Sequence, residues 1–262
     1  MRPETAVIPA GGYGSRMEPI TKAVPKPMLP IIRKPVIHHI VEECAVSGIE
    51  KVVIVTGFCG DVIRKYFSND FEFDQRSYGP DNYFENLDIE FICQDKPRGL
   101  SDAVICAEKE VDGDSFAVLL GDDIFRGPRP GIAQLCDSYE GGHLIGAVSM
   151  SPEKISNYGV LIPCEVCGNS FNISAILEKP KQRVESDMAV AGRYIFNFSI
   201  FDKLKSSFSL KKTESNLTDA LNLALREGNK VKGLKMAGTR YDVGNEQEYI
   251  ETIMSAVREG WY

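Results

Sequence analysis

Short apolar, β-branched runs recur along this chain: Ala6-Val-Ile-Pro9, Val52-Val-Ile-Val55, Ile89-Glu-Phe-Ile-Cys93, Phe116-Ala-Val-Leu-Leu120 and Leu144 to Met150. They are largely continuous rather than alternating, the pattern of strands covered on both faces, so a sheet buried between helices is required. Between the first two runs, Val36, Ile37, Ile40, Val41 and Cys44 share one helical face. Pro35 suits its first turn and Gly48 stands where a C-terminal cap belongs. This βαβ unit predicts an α/β fold, with a Rossmann-like, mostly parallel mixed sheet flanked by helices.

Strands are also predicted at Tyr158 to Ile162, Ile173 to Glu178, Met188 to Phe196 and Val231 to Lys235, with a helix from Leu217 to Glu227. In the closing helix, Asn245 and Glu248 have capping-box spacing, and Tyr249, Ile250, Ile253, Met254 and Val257 follow on one face. No low-complexity linker or repeat divides the chain, so residues 1–262 are expected to form one domain with two halves, about 1–125 and about 126–262. Residues 68–88 are acidic and aromatic without a clear period, as a surface insertion would be.

The net charge of −7 and pI near 5.2 give no general attraction to nucleic acid or to an anionic membrane, so any bound anion needs a built site. No apolar run approaches the ~20 residues of a membrane helix. Met1 to Thr5 lead into a strand without a signal-peptide pattern, so a cytoplasmic protein is expected. The seven cysteines are odd in number and sit mostly within apolar segments, which suits reduced thiols. Cys164-x-x-Cys167 lacks the further ligands that zinc needs.

The first strand runs into Ala10-Gly-Gly-Tyr-Gly-Ser-Arg16, a loop whose backbone N–H groups can converge on an anion. A dinucleotide fingerprint would need glycine where Met17 stands and an acid after the second strand, which ends in Thr56-Gly57. A nicotinamide oxidoreductase is therefore excluded, and the Walker A pattern is absent too. Beyond the loop, Pro19, Pro25, Pro27 and Pro30 hold an extended segment carrying Lys22 and Lys26.

With these features, the chain resembles the sugar-1-phosphate nucleotidyltransferases, and among them the bacterial and archaeal members that transfer uridylyl groups. The resemblance spans almost the whole chain. Its motifs are Ile8-Pro-Ala-Gly-Gly-x-Gly-Ser-Arg16, Thr21-Lys22, Pro25-Lys26, Gln94 with Gly99-Leu100, Leu120-Gly-Asp122-Asp123 and Tyr158-Gly159-Val160, then Glu178-Lys179-Pro180, Ala191-Gly192-Arg193-Tyr194, Leu217-Thr-Asp-Ala220 and Asp242-x-Gly244-Asn245. It implies a nucleotide-diphospho-sugar transferase (glycosyltransferase A-like) fold, with a nucleotide-binding first half and a sugar-phosphate-binding second half. The implied substrates are UTP and glucose 1-phosphate, with Mg²⁺ as cofactor and a homo-oligomer as the assembled state. Within the family, a thymidylyltransferase or a uridylyltransferase for another sugar phosphate is the alternative. From another class comes a non-catalytic, nucleotide-sugar-binding subunit, against which the intact Lys26, Asp122 and Asp242 argue.

In the implied reaction a phosphate oxygen attacks the α-phosphorus of a nucleoside triphosphate. The nucleophile is already an anion, so no Ser-His-Asp or Cys-His device is needed, which suits a chain whose histidines are His38, His39 and His143. Charge neutralisation and in-line positioning are what the chemistry demands. Arg16 and Lys26 match the family's triphosphate-binding and catalytic cations. Asp122 and Asp242 match its metal-binding carboxylates and are each expected where a strand ends, although turn or cap roles would leave the same trace. The neighbouring Asp123 would point elsewhere in an extended segment.

Gln94 matches the base-reading glutamine, with Ala10, Gly11, Gly12 and Gly99 completing the nucleotide pocket; a surface residue after a strand would look alike. Glu178 matches the sugar ligand and Lys179 its phosphate ligand, with Gly159, Gly192 and Tyr194 around them, although a surface ion pair would look the same. Three departures stand out: Pro27 where glutamate is frequent, the 68–88 stretch, and Gly99-Leu100-Ser101-Asp102 where Gly-Leu-Gly-His is usual. Ser101 and Asp102 are expected to cap a helix of Ala103 to Glu108.

Overall fold

The computed structural model describes residues 2–57, 60–68, 84, 86–211 and 216–261. Most of the 68–88 stretch lies outside the described residues. The first half supplies β1 (Thr5–Ala10), the hairpin β2 (Pro30–Ile31) and β3 (Lys34–Pro35), α1 (Val36–Val46), β4 (Lys51–Thr56), α2 (Gly60–Phe67), β5 (Asp88–Cys93), α3 (Leu100–Cys106) and β6 (Ser115–Leu119). There follow β7 (Asp123–Arg126), α4 (Gly131–Ser138), β8 (His143–Ser149), α5 (Pro152–Ile155), β9 (Gly159–Cys167), β10 (Ser170–Glu178) and β11 (Met188–Asn197). The chain closes with α6 (Ile200–Lys211), α7 (Leu217–Arg226), β12 (Val231–Lys235), β13 (Thr239–Asp242) and α8 (Glu246–Glu259).

Nine strands join in one sheet of order β5-β4-β1-β6-β11-β8-β12-β10-β9. The left side, β5 to β6, is parallel, as is the β8–β12 pair. β11 enters antiparallel between β6 and β8, while β10 is antiparallel to β12 and to β9. β11 also meets β9 at Ala189 and Val160, so the second half of the sheet curls back on itself.

Strand periodicity divides the core in two. Ala6, Ile8, Val52, Ile54, Ala117 and Leu119 face one side, with α1, α4 and α8 residues Ile37, Ile40, Leu135 and Ala256. Val7, Val53, Val55, Phe116 and Val118 face the other, with α3, α6 and α7 residues Val104, Leu204 and Leu221. Each such side chain contributes on the order of 1.5–3 kcal/mol by leaving water, which explains why these strands carry no polar face.

The expected strands and helices form, with small shifts at their ends. Gly48 adopts a positive φ of 77° just after α1, whose C-cap is Ser47. One expectation at the closing helix changes. Asn245 caps it by accepting from the Glu248 amide at 3.0 Å, but the Glu248 carboxylate accepts from Tyr158 at 2.7 Å instead of completing a capping box. Its buried face is Thr252 and Ala256, with Tyr249 and Ile253 half-buried, whereas Ile250, Met254 and Val257 are exposed. A two-stranded ribbon, β7 with β13, lies beside the main sheet and was not foreseen.

Candidate active site

The glycine loop leaves β1 at its carboxyl end. Gly14 takes φ 66°, and a Cβ there would stand 2.8 Å from the Thr21 methyl, so only glycine makes this turn without strain. Thr21 Oγ1 donates to the Gly14 carbonyl at 2.9 Å, tying the proline-rich segment back to the loop. Short 3₁₀ turns at Ser15–Met17 and Lys26–Met28 then present Arg16, exposed, and Lys26, which is only 9% exposed.

Lys26 forms an ion pair with Asp122, across 96 positions of chain. Asp122 lies between β6 and β7; the Gly121 amide before it donates to the Pro9 carbonyl at 3.2 Å, which places it against the glycine loop. Burial works to raise its pKa, but Lys26, Arg240 and Arg16 hold the carboxyl below its ordinary value. Asp122 thus stays an anion among cations.

Asp242 ends a strand, as expected, but the Val231 to Tyr241 segment divides into β12 and β13, and β13 belongs to the ribbon, where it pairs with β7 so that Asp242 faces Asp123 in register. The Val243 amide donates to the Asp122 carbonyl at 2.9 Å, locking the two acidic segments together. Asp242 Oδ2 accepts from Arg240 at 3.0 Å. Arg240, two residues earlier on the same strand face, was missed by sequence reasoning, although the period of two was there to find it. It also pairs with the fully buried Asp123 at 2.7 Å and lies 4.3 Å from the centre of the Tyr158 ring. Burial pushes Asp123 upward while Arg240 pulls it down.

Asp122 and Asp242 therefore each use one oxygen on a cation and keep Oδ1 without a protein donor among the described residues. Hard oxygens of this kind suit Mg²⁺, which commonly takes one or two carboxylates and completes its shell with phosphate and water. No group of three or more metal-binding side chains occurs among the described residues.

Gln94 follows β5 and is buried, 4% exposed, so it is no surface residue. Its Oε1 is 3.1 Å from where a Gly11 Cβ would stand. Ala10 is buried at the strand end, and around Gly12 no heavy atom would come within 4 Å of an added Cβ, leaving the loop backbone open to a ligand. Gly99, with φ 102°, precedes α3. Ser101 and Asp102 sit inside the first turn of α3, which starts three residues earlier than expected, and neither caps it. Asp102 instead accepts from Gln94 Nε2 at 2.5 Å and pairs with Arg98 at 3.2 Å.

On the sugar side Gly159 and Glu178 are partners across the β9–β10 ladder. Glu178 is exposed and accepts from Thr218 at 2.6 Å, a contact that gives the Leu217-Thr-Asp-Ala220 motif a physical sense. Asn222 clamps α7 to β10 by bonding both backbone groups of Ile176. Lys179, exposed, has φ 43° and donates its amide to the Tyr158 carbonyl at 3.1 Å. A non-glycine residue in this region is uncommon, and Ile32 and Glu165 share it.

The two other residues expected on the sugar side, Gly192 and Tyr194, lie on β11. Gly192 has φ 70°, and a Cβ there would stand 2.5 Å from Asp123 Oδ2, so this glycine makes room for the buried Asp123–Arg240 pair. Tyr194 is buried in the core beside Phe196, where burial and then Glu178 raise its pKa.

The family described as Nucleotidyl transferase matches residues 5–259. The UTP–glucose-1-phosphate uridylyltransferase YngB of Bacillus subtilis (strain 168) is 40% identical over 253 residues, covering 92% of this chain and 85% of that protein. A solved UDP-glucose pyrophosphorylase complexed with UDP-glucose shares 31% identity and a TM-score of 0.89, over 98% of this chain and 99% of that one. A UTP-bound UGPase from Acinetobacter baumannii is 26% identical with a TM-score of 0.84, over 96% and 92% of the two chains.

Proposed function

The chain belongs to the nucleotidyl transferase family, and from that premise we propose how its cleft turns UTP and glucose 1-phosphate into UDP-glucose and pyrophosphate. The observation that carries the site assignment is the Lys26–Asp122 pair at the glycine loop, with Asp242 locked beside it. A cation and two carboxylates converge where β1 and β6 end, the edge at which α/β sheets bind ligands.

Triphosphate oxygens lie along the open backbone of Gly11 and Gly12 and on the Arg16 guanidinium. Lys26 sits at the α-phosphoryl group, where negative charge must be balanced as the sugar phosphate oxygen attacks in line. Glu178 accepts from glucose hydroxyls and Lys179 holds the attacking phosphate, with Gly159 beside them. Gln94, with Ala10 and Gly99, reads the base. Enzymes of this type generally use a divalent metal. Asp122 and Asp242 would hold Mg²⁺, which when bound supplies positive charge for the departing pyrophosphate. Arg240 keeps Asp242 in place from behind.

Residues about 1–125 serve the nucleotide and about 126–262 the sugar phosphate, within one domain. The cytoplasmic location expected from the sequence and the homo-oligomeric state that the family resemblance implies are part of the same proposal. No described helix is long and apolar enough to cross a membrane.

The test is pyrophosphate release by the purified protein with Mg²⁺, over UTP, dTTP, CTP, GTP and ATP against glucose-, galactose- and N-acetylglucosamine-1-phosphate. Turnover greatest with UTP and glucose 1-phosphate is expected. A clear preference for dTTP would replace the uridylyl reading with a thymidylyl one, and no turnover with any pair would overturn both.

A further inference from the structure

The Gln94–Asp102 contact joins the residue that follows β5 to the first turn of α3, beside the glycine loop. Both partners are 4% exposed. Asp102 Oδ2 accepts from Gln94 Nε2 at 2.5 Å, and its other oxygen pairs with the Arg98 guanidinium at 3.2 Å. Gln94 is fixed at its backbone as well, its amide donating to the Thr56 carbonyl at 2.8 Å.

We propose that Asp102 is a positioning residue for base specificity: it holds the Gln94 amide in the one orientation that accepts uracil and refuses cytosine. The inference rests on the reading of Gln94 as the base contact. An ionised carboxylate can only accept hydrogen bonds, whereas a glutamine amide can donate from one end and accept at the other. Facing Asp102, Gln94 must therefore turn its NH₂ toward α3, which leaves Oε1 on the Gly11 side, at the glycine loop. No protein donor is bonded to that oxygen among the described residues.

Uracil carries a donor at N3 beside a carbonyl at C4. The held amide complements that edge, with Oε1 accepting from N3–H and the second N–H of Nε2 free for the C4 oxygen. Cytosine carries the opposite order, an acceptor at N3 and an amine at C4, and would need the amide reversed. Reversal would set Oε1 against the Asp102 carboxylate, acceptor to acceptor, inside a buried contact where unpaired polar atoms are costly. Thymine shares the uracil edge, so Asp102 discriminates pyrimidine edges and not the methyl group. A neutral asparagine at 102 would remove the lock, because its amide can meet either end of Gln94.

The experiment compares kcat/KM for UTP, dTTP and CTP, with glucose 1-phosphate and Mg²⁺, in the native enzyme, D102N and Q94A. The native enzyme is expected to prefer UTP strongly over CTP. D102N should shrink the UTP/CTP ratio by about 10-fold or more, through a higher KM for UTP and improved use of CTP, while UTP/dTTP stays as in the native enzyme. A packing role alone would depress all three nucleotides together and leave the ratios unmoved, and that result would overturn the proposal. If Q94A leaves the UTP/CTP ratio at its native value, the reading of Gln94 as base contact falls, and the inference with it. D102S serves the same comparison should D102N fail to fold: its short hydroxyl cannot hold the amide, and an unchanged ratio there counts equally against Asp102.

Discussion

At the nucleotide end of the cleft three candidate side chains already have a protein partner: Lys26 is held by Asp122, Asp242 by Arg240, and Gln94 by Asp102. At the sugar end Glu178 and Lys179 stand exposed, with Thr218 as the one side chain bonded to Glu178 among the described residues. The difference follows from chemistry. A polyanionic triphosphate needs cations and carboxylates packed together, and such groups must neutralise one another before substrate comes. A neutral sugar ring needs acceptors that water can satisfy until the sugar replaces it.

The joint between the two ends is Arg193. It is fully buried in β11, forks onto Glu43 of α1 with contacts from 2.6 Å, and donates to the Asp123 carbonyl of β7 at 2.9 Å. Arg193→Met would strand the Glu43 carboxylate in the core, so a loss of about 3–5 kcal/mol in unfolding free energy is expected, read by chemical denaturation. A loss below about 1 kcal/mol would mean that the two ends are not joined there.

Lys26→Ala tests the nucleotide end itself. Removing the cation should lower kcat by ~100-fold or more, by analogy with loss of a charge-stabilising donor. Near-normal turnover in steady-state kinetics would assign the reacting phosphoryl group to another residue. For the sugar end, Glu178→Gln should raise KM for glucose 1-phosphate by roughly 10–100-fold, the worth of a hydrogen bond to a charged acceptor, with little change in KM for UTP. Equal effects on both substrates would erase the contrast between the ends.

A subtler contrast lies in acid response. Burial, followed by Lys34, lowers His38 to about 3 and His39 to about 4; burial, then Lys203, lowers His143 to about 4. The unfolded chain takes up protons from pH 6.5 downward that the folded chain refuses. Stability is therefore full above pH 6.5 and falls as pH drops to about 4 for His39 and His143 and to about 3 for His38, by about 1.4 kcal/mol per unit for each histidine. His38 and His39 lie in α1 of the first half and His143 begins β8 of the second. Replacing His143 by Asn should make the fall in stability between pH 6.5 and 4 shallower by one histidine's share, measured by denaturation across pH.

Legibility in the sequence followed the same divide. The parallel strands were readable because burial on both faces demands unbroken apolar runs, and the glycine loop because its backbone excludes side chains. Arg240, Asp102 and Thr218 were harder. Each acts by holding another side chain, from β13, α3 and α7, and only the folded topology brings those elements to Asp242, Gln94 and Glu178. The exposed apolar row of Ile250, Met254 and Val257 shows the same limit: periodicity shows that a helix has an apolar face, not what lies opposite it.

The strand order has a bearing on how this chain comes into being. The open edge of β6 is covered by β11, so Phe116 waits for Phe196, some eighty residues further along, before its strand gains its second neighbour. On a ribosome the nucleotide half emerges with a hydrogen-bonding edge bare, a template for wrong pairings until β11 threads in. A gene fragment ending before residue 188 would carry the glycine loop, Lys26 and Asp122 and yet leave that edge unfilled, and it would be expected to aggregate rather than bind nucleotide as a portable module.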